Sequence, residues 1–111
     1  MDDVIAVVTD LYFQSRISTV ARHSDRAVRF LTVNEEIPGH ALALVDLDAD
    51  LDVLAVIRRL KSESTAPIVA FGPHVDTEAR KAARKAGAHR VLAKSRFVSE
   101  LPFLLQKSSV P

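Results

Sequence analysis

Apolar residues gather along this chain in short unbroken blocks, separated by stretches that carry a helical period. Val4 to Val8 (VIAVV) and Ala41 to Val45 (ALALV) are the cleanest blocks. Runs of this kind suit strands covered on both faces, as in parallel sheets flanked by helices. Pro67 to Phe71 and Arg90 to Ala93 predict two more strands, while Arg26 to Val33 (RAVRFLTV) partly alternates charge with apolar groups and predicts an edge strand.

The segments between them have helical spacing. Leu11 to Arg22 sets Leu11, Ile17, Val20 and Ala21 on one face, and His23-Ser24-Asp25 supplies the turn that ends it. Asp52 to Ser62 turns Val53, Leu54, Ile57 and Leu60 toward the sheet and Arg58, Arg59 and Lys61 toward water. Asp76 is a good N-cap for a helix with Ala79, Ala82, Ala83 and Ala86 inward, which Gly87 stops. Arg80, Lys81, Arg84 and Lys85 are then its basic outer face. The last helix carries Phe97, Leu101, Leu104 and Leu105; Pro102 inside it predicts a kink or a restart, and residues 105–111 read as a frayed tail.

One connection breaks the alternation of strand and helix. Only NEEIPGH, residues 34–40, joins the edge strand to the block at Ala41, where a parallel crossover normally takes a dozen or more residues. Seven residues reach roughly 23–25 Å, and a return along a strand of about 17 Å with a sideways step of about 10 Å needs roughly 20 Å. The link fits only if nearly extended, so no helix covers this part of the sheet, and apolar sheet surface is expected to be exposed there. Such a patch would favour a homodimer or a docked partner.

Composition narrows the classes. The 111 residues suit one domain, with 48% hydrophobic and 26% charged residues as in a soluble globular protein. Without cysteine there is no disulfide framework, thiolate metal site or thiol nucleophile. The acidic start MDDVIAVVTD is unlike the basic start of a secretory signal, and no apolar run approaches the ~20 residues that span a bilayer, so a cytoplasmic protein is expected. A net charge of +1 gives no global argument for nucleic acid. His23, His40, His74 and His89 lack metal-ligand spacing, no Ser, His and acid arrangement suggests a hydrolase, and TDLYFQ after the first strand is no glycine-rich phosphate loop.

The chemistry is concentrated where the strands end. Asp46 closes the central block and opens a staircase of carboxylates at Asp46, Asp48, Asp50 and Asp52. In open α/β sheets ligands bind outside the carboxyl ends of the strands. Each carboxylate also has a plainer role, as a solvated group or as an acid before a helix N-terminus, where the dipole favours it.

Five strands alternating with helices predict an α/β, flavodoxin-like doubly wound parallel sheet of order 2-1-3-4-5 with its second helix missing. Over nearly the whole chain the residues resemble the receiver domain of bacterial two-component response regulators. That family has an acidic pair after strand 1, a phosphate-accepting Asp after strand 3, Thr or Ser after strand 4, and Lys then Pro after strand 5. The matching positions here are Thr9-Asp10, Asp46 in LVDLD, Gly72 in PIVAFGP and Lys94-Ser95 in VLAKS. The resemblance implies Asp46 as phosphoacceptor, Lys94 as phosphate contact, and a weak Mg²⁺ site from Asp10, Asp46 and the backbone carbonyl of Asp48. It also implies a partner surface around Arg80, Lys81, Arg84 and Lys85.

The departures fall on the same motifs. Thr9 replaces one acid, Gly72 supplies no hydroxyl, Pro73 supplies no N–H, and Val91 stands where the family often has an aromatic residue. The expectation is a stand-alone, non-enzymatic pseudo-receiver acting by protein contact, with a kinase, another signalling protein or a second copy as partner. In that reading Lys94 neutralises Asp10 and Asp46. The alternative is a Mg²⁺-dependent phosphoacceptor working through Asp46 in a phosphorelay.

Overall fold

The computed structural model describes residues 3–32, 35–72 and 77–106. In chain order the elements are β1 (Val4–Val7), α1 (Leu11–His23), β2 (Val28–Phe30), β3 (Leu42–Asp46), α2 (Val53–Glu63), β4 (Ile68–Gly72), α3 (Thr77–Ala86), β5 (Arg90–Ala93) and α4 (Lys94–Leu104). The sheet is fully parallel in the order β2-β1-β3-β4-β5. The apolar blocks became strands buried on both faces because helices cover both sides.

The strand period of two divides the core. Val4, Ala6, Leu42, Leu44, Val69, Phe71 and Leu92 point to the side covered by α1 and α4. There Phe71 stacks on Phe97 with centroids 3.8 Å apart, and Phe13 tilts against Phe71 at 5.6 Å. Ile5, Val7, Ala43, Val45, Ile68, Ala70 and Val91 point to the other side, against Ile57 and Leu60 of α2 and Ala83 and Ala86 of α3. The small alanines let the helices lie close. A Cβ on Gly87, which has φ +133°, would stand 2.7 Å from Lys61 Cβ, so this helix end needs glycine for both conformation and space.

Four expectations change. The edge strand is only three residues long, and its ladder ends where Leu31 N donates to Ala6 O at 2.9 Å. Pro102 does not break the last helix: it lies in the final turn, and Leu105 N donates to Leu101 O at 3.0 Å across it. Leu105, expected in the frayed tail, is fully buried, and Arg26 Nη1 donates to its carbonyl at 3.3 Å. The sheet surface beside the short link is not bare, since Ile5 and Val7 are buried beneath Leu31 and Ile37. The N-cap at Asp76, the substitution Pro73, His74 and the tail from 107 lie outside the described residues.

Among the described residues 35–40, the link has no helix, as its length requires. It is held as a strap. Arg59 Nη2 donates to Glu35 O at 2.7 Å, and Thr32 N and Oγ1 donate to Glu35 Oε2 at 2.6 and 3.0 Å. Ala41 N then donates to Asp3 O at 2.7 Å, bringing the chain back beside β1.

Candidate functional site

Asp46 is the last residue of β3 and the one buried charged side chain among the described residues, 1% exposed. The strand period puts it on the α1/α4 side with Leu42 and Leu44, and Leu47 N continues the ladder to Phe71 O at 2.8 Å. Its Oδ1 accepts from Asp48 N at 2.9 Å. Burial pushes the Asp46 carboxyl above the usual range; the Asp48 N–H and the Lys94 charge oppose the rise, and the charges of Asp48 and Asp10 add to it.

The neighbouring strand ends bring the other predicted groups to the same edge. Asp10 is the N-cap of α1, its Oδ1 accepting from Tyr12 N at 2.8 Å and Phe13 N at 3.3 Å. Thr9 Oγ1 accepts from Asp50 N at 3.2 Å, which ties the loop after β3 to the end of β1. Lys94 opens α4 directly after β5, with its Nζ 3.4 Å from Asp48 Oδ2 and 5.0 Å from the Phe13 ring centroid. The lysine therefore forms its ion pair with Asp48, not with Asp46 and Asp10 as expected. Gly72 ends β4 opposite Ala93, a buried position without a side chain to reach the carboxylates.

A resident Mg²⁺ demands near-octahedral oxygen ligands. Asp10 and Asp46 each have an oxygen engaged by backbone N–H groups, and Thr9 occupies the place of a second acid. Among the described residues no group of three or more His, Cys, Asp or Glu is placed to hold a metal ion. The side chains gathered here offer a divalent ion two carboxylates, those of Asp10 and Asp46.

No family model and no curated protein matches the chain. Solved structures do. A response regulator from Thermotoga maritima aligns at 19% identity and TM-score 0.75, over 93% of this chain and 92% of its own. One from Burkholderia pseudomallei, with a phosphorylated aspartic acid, calcium ion and citrate, aligns at 21% and TM-score 0.80, over 96% of this chain and 67% of its own. The Mn²⁺-bound response regulator Rcp1 aligns at 18% and TM-score 0.75, over 100% and 98%. The fold is that of a response-regulator receiver domain.

Against that receiver fold there are four helices among the described residues, one fewer than the five-helix pattern, with the strap in the missing helix's place. No helix among the described residues is long and apolar enough to cross a membrane. Lys81, Arg84 and Lys85 lie exposed on α3. Arg80 leaves that outer face, donating from Nη1 to Val91 O at 2.9 Å. Arg59, expected to face water, likewise turns to the strap, with Nε 3.0 Å from Glu63 Oε2. Both are long side chains whose stems lie along the fold while their heads find carbonyl oxygens. The capping role of Asp10 was also missed, although Asp immediately before a helical run is its ordinary signal.

Proposed function

We propose that the chain is a receiver-like signalling module that works by protein contact in bacterial signal transduction, with its strand-end carboxylates engaged by its own backbone N–H groups and by Lys94 rather than poised for phosphoryl transfer. One observation carries this reading: Lys94, the residue matching the family's phosphate contact, is paired with Asp48 at 3.4 Å while the buried Asp46 accepts the Asp48 N–H. An incoming phosphoryl group would meet carboxylates with little compensating charge, since Thr9 removes a metal ligand and Gly72 a hydroxyl. A divalent ion at Asp10 and Asp46 would bind weakly.

The exposed cations Lys81, Arg84 and Lys85 suit an acidic protein partner. Arg80 is excluded from that set by its bond to Val91. The module itself catalyses nothing in this reading.

Incubation with acetyl phosphate and Mg²⁺, followed by intact-protein mass spectrometry, tests the proposal. The expected spectrum shows the unmodified mass. A phosphoryl adduct abolished by Asp46→Asn would favour the phosphorelay alternative.

A further inference from the structure

The short link leaves a cavity of about 210 Å³ between the strap and α2, apart from the strand-end carboxylates. Its walls are Val7 of β1, Leu31 and Ile37 of the connection, Leu51 of the loop before α2, and Val56 and Leu60 of α2. Four chain segments line it, so it is an open-mouthed concavity rather than a flat apolar face. A cavity of about 150 Å³ takes up benzene, so this one accommodates a hydrocarbon body of about six carbons with a polar head.

The polar lining decides what that head is. Glu35 is occupied: Oε1 faces Arg29 Nη2 at 3.5 Å, and Oε2 accepts from Thr32 N and Oγ1. Asp52 caps α2, its Oδ1 accepting from Ala55 N at 3.2 Å. Arg59 is the cation in the lining, and its guanidinium is fixed by Nε on Glu63 and Nη2 on Glu35 O. Its Nη1 has no partner among the described residues. A guanidinium held in place with one nitrogen free is prepared to donate to a carboxylate without losing further freedom.

We propose that this cavity binds a small branched or monocyclic carboxylate, with its hydrocarbon body among Leu31, Ile37, Leu51, Val56 and Leu60 and its carboxylate on Nη1 of Arg59. Such a ligand would fill the space left by the missing helix and brace the strap against α2. The site shares no residue with the strand-end cluster of Asp10, Asp46, Asp48 and Lys94.

The test is methyl NMR of the full chain titrated with isocaproate, with isohexanol and isoamylamine as the uncharged and cationic comparators. Saturable shifts are expected at Leu31, Ile37 and Val56, with isocaproate binding about tenfold tighter than either comparator, as a charge-assisted hydrogen bond requires. Arg59→Gln is expected to reduce that affinity about tenfold. Because Arg59 also anchors the strap, Ala55→Leu provides a second variant that narrows the cavity and leaves the guanidinium in place; it too should weaken isocaproate about tenfold. No saturable shift, equal binding of isohexanol, or undiminished binding by Ala55→Leu would overturn the proposal.

Discussion

The strand-end cluster and the β2–β3 strap both depart from the receiver pattern, but in opposite ways. At the strand ends the backbone is retained and the chemistry is altered: Asp46, Asp10 and Lys94 stand at the ends their strands and helices dictate, while Thr9 and Gly72 take away a carboxylate and a hydroxyl. At the strap a whole helix is missing, yet Ile5 and Val7 remain buried because Leu31, Ile37 and the Arg59 anchor replace it. Fold survives the loss of an element when apolar cover is maintained. In the function proposed above, phosphoryl transfer is given up through two side chains that the fold does not need.

If that contrast is right, the two regions should respond differently to substitution. The largest effect is expected under the strap. Leu60 is 1% exposed and supports both the sheet and the cavity wall, so Leu60→Ala should destabilise by about 2–4 kcal/mol in urea unfolding. A loss below about 1 kcal/mol would mean that the strap side is loosely packed and carries little of the stability.

At the strand ends, restoring chemistry should change binding more than folding. Thr9→Asp returns the missing carboxylate beside Asp10 and should raise Mg²⁺ affinity about tenfold by calorimetry, with little change in melting temperature. Removing the cap has a moderate structural effect: Asp10→Ala leaves two α1 N–H groups without their acceptor and should cost about 1 kcal/mol. An unchanged stability would show that the Asp10 carboxylate is not committed to α1, leaving it available to a metal.

The smallest effect is a gain. The raised Asp46 carboxyl binds its proton more tightly in the folded chain than in the unfolded one, so its contribution favours folding at low pH and is lost as pH rises through the folded-state value. Asp46→Asn removes the buried charge and should raise the melting temperature modestly at pH 7, narrowing its difference from pH 4. Glu35 works in the other direction: the Thr32 N–H, then the Thr32 hydroxyl, hold its carboxyl below the usual range, with Arg29 adding to the effect. Its contribution is present above the unfolded-state value and fades as pH falls through the folded one, so acid should loosen the strap while relieving the strand-end cluster. Amide protection factors measured at Thr32 and Asp48 over pH 3–7 would separate the two, a lower protection factor at Thr32 in acid, after division by the intrinsic rate at each pH, being the expected sign.

Much of this architecture is legible in residue pattern. The unbroken blocks from Val4 and Ala41, the alanine stripe of α3 and the length of the link give a helix-covered parallel sheet and the absent helix, since burial and chain reach leave few alternatives, while the strand order comes from the five-stranded form of the doubly wound class. The strand-end positions of Asp46 and Lys94 follow from the same blocks. What a pattern does not carry is the destination of a long polar side chain. Arg59 and Arg80 read as solvent-facing because charge on an outer helical position usually is, whereas a carbonyl brought close by another segment captures each of them. The pairing of Lys94 with Asp48 rather than Asp46 depends on how the loop after β3 turns, and the cover over Ile5 and Val7 on where an irregular strap places Leu31 and Ile37. Neither has a periodicity to read.

The most direct test of the central claim, that the receiver fold here no longer holds a working phosphoryl pocket, is an NMR titration of the labelled chain with Mg²⁺ followed by beryllofluoride, the phosphoryl mimic. The account predicts only weak, non-saturating changes with Mg²⁺ and no further shifts at Asp10, Asp46 or Lys94 when beryllofluoride is added. Saturable shifts centred on those three residues, lost in Asp46→Asn, would contradict it and restore Asp46 as a phosphoacceptor.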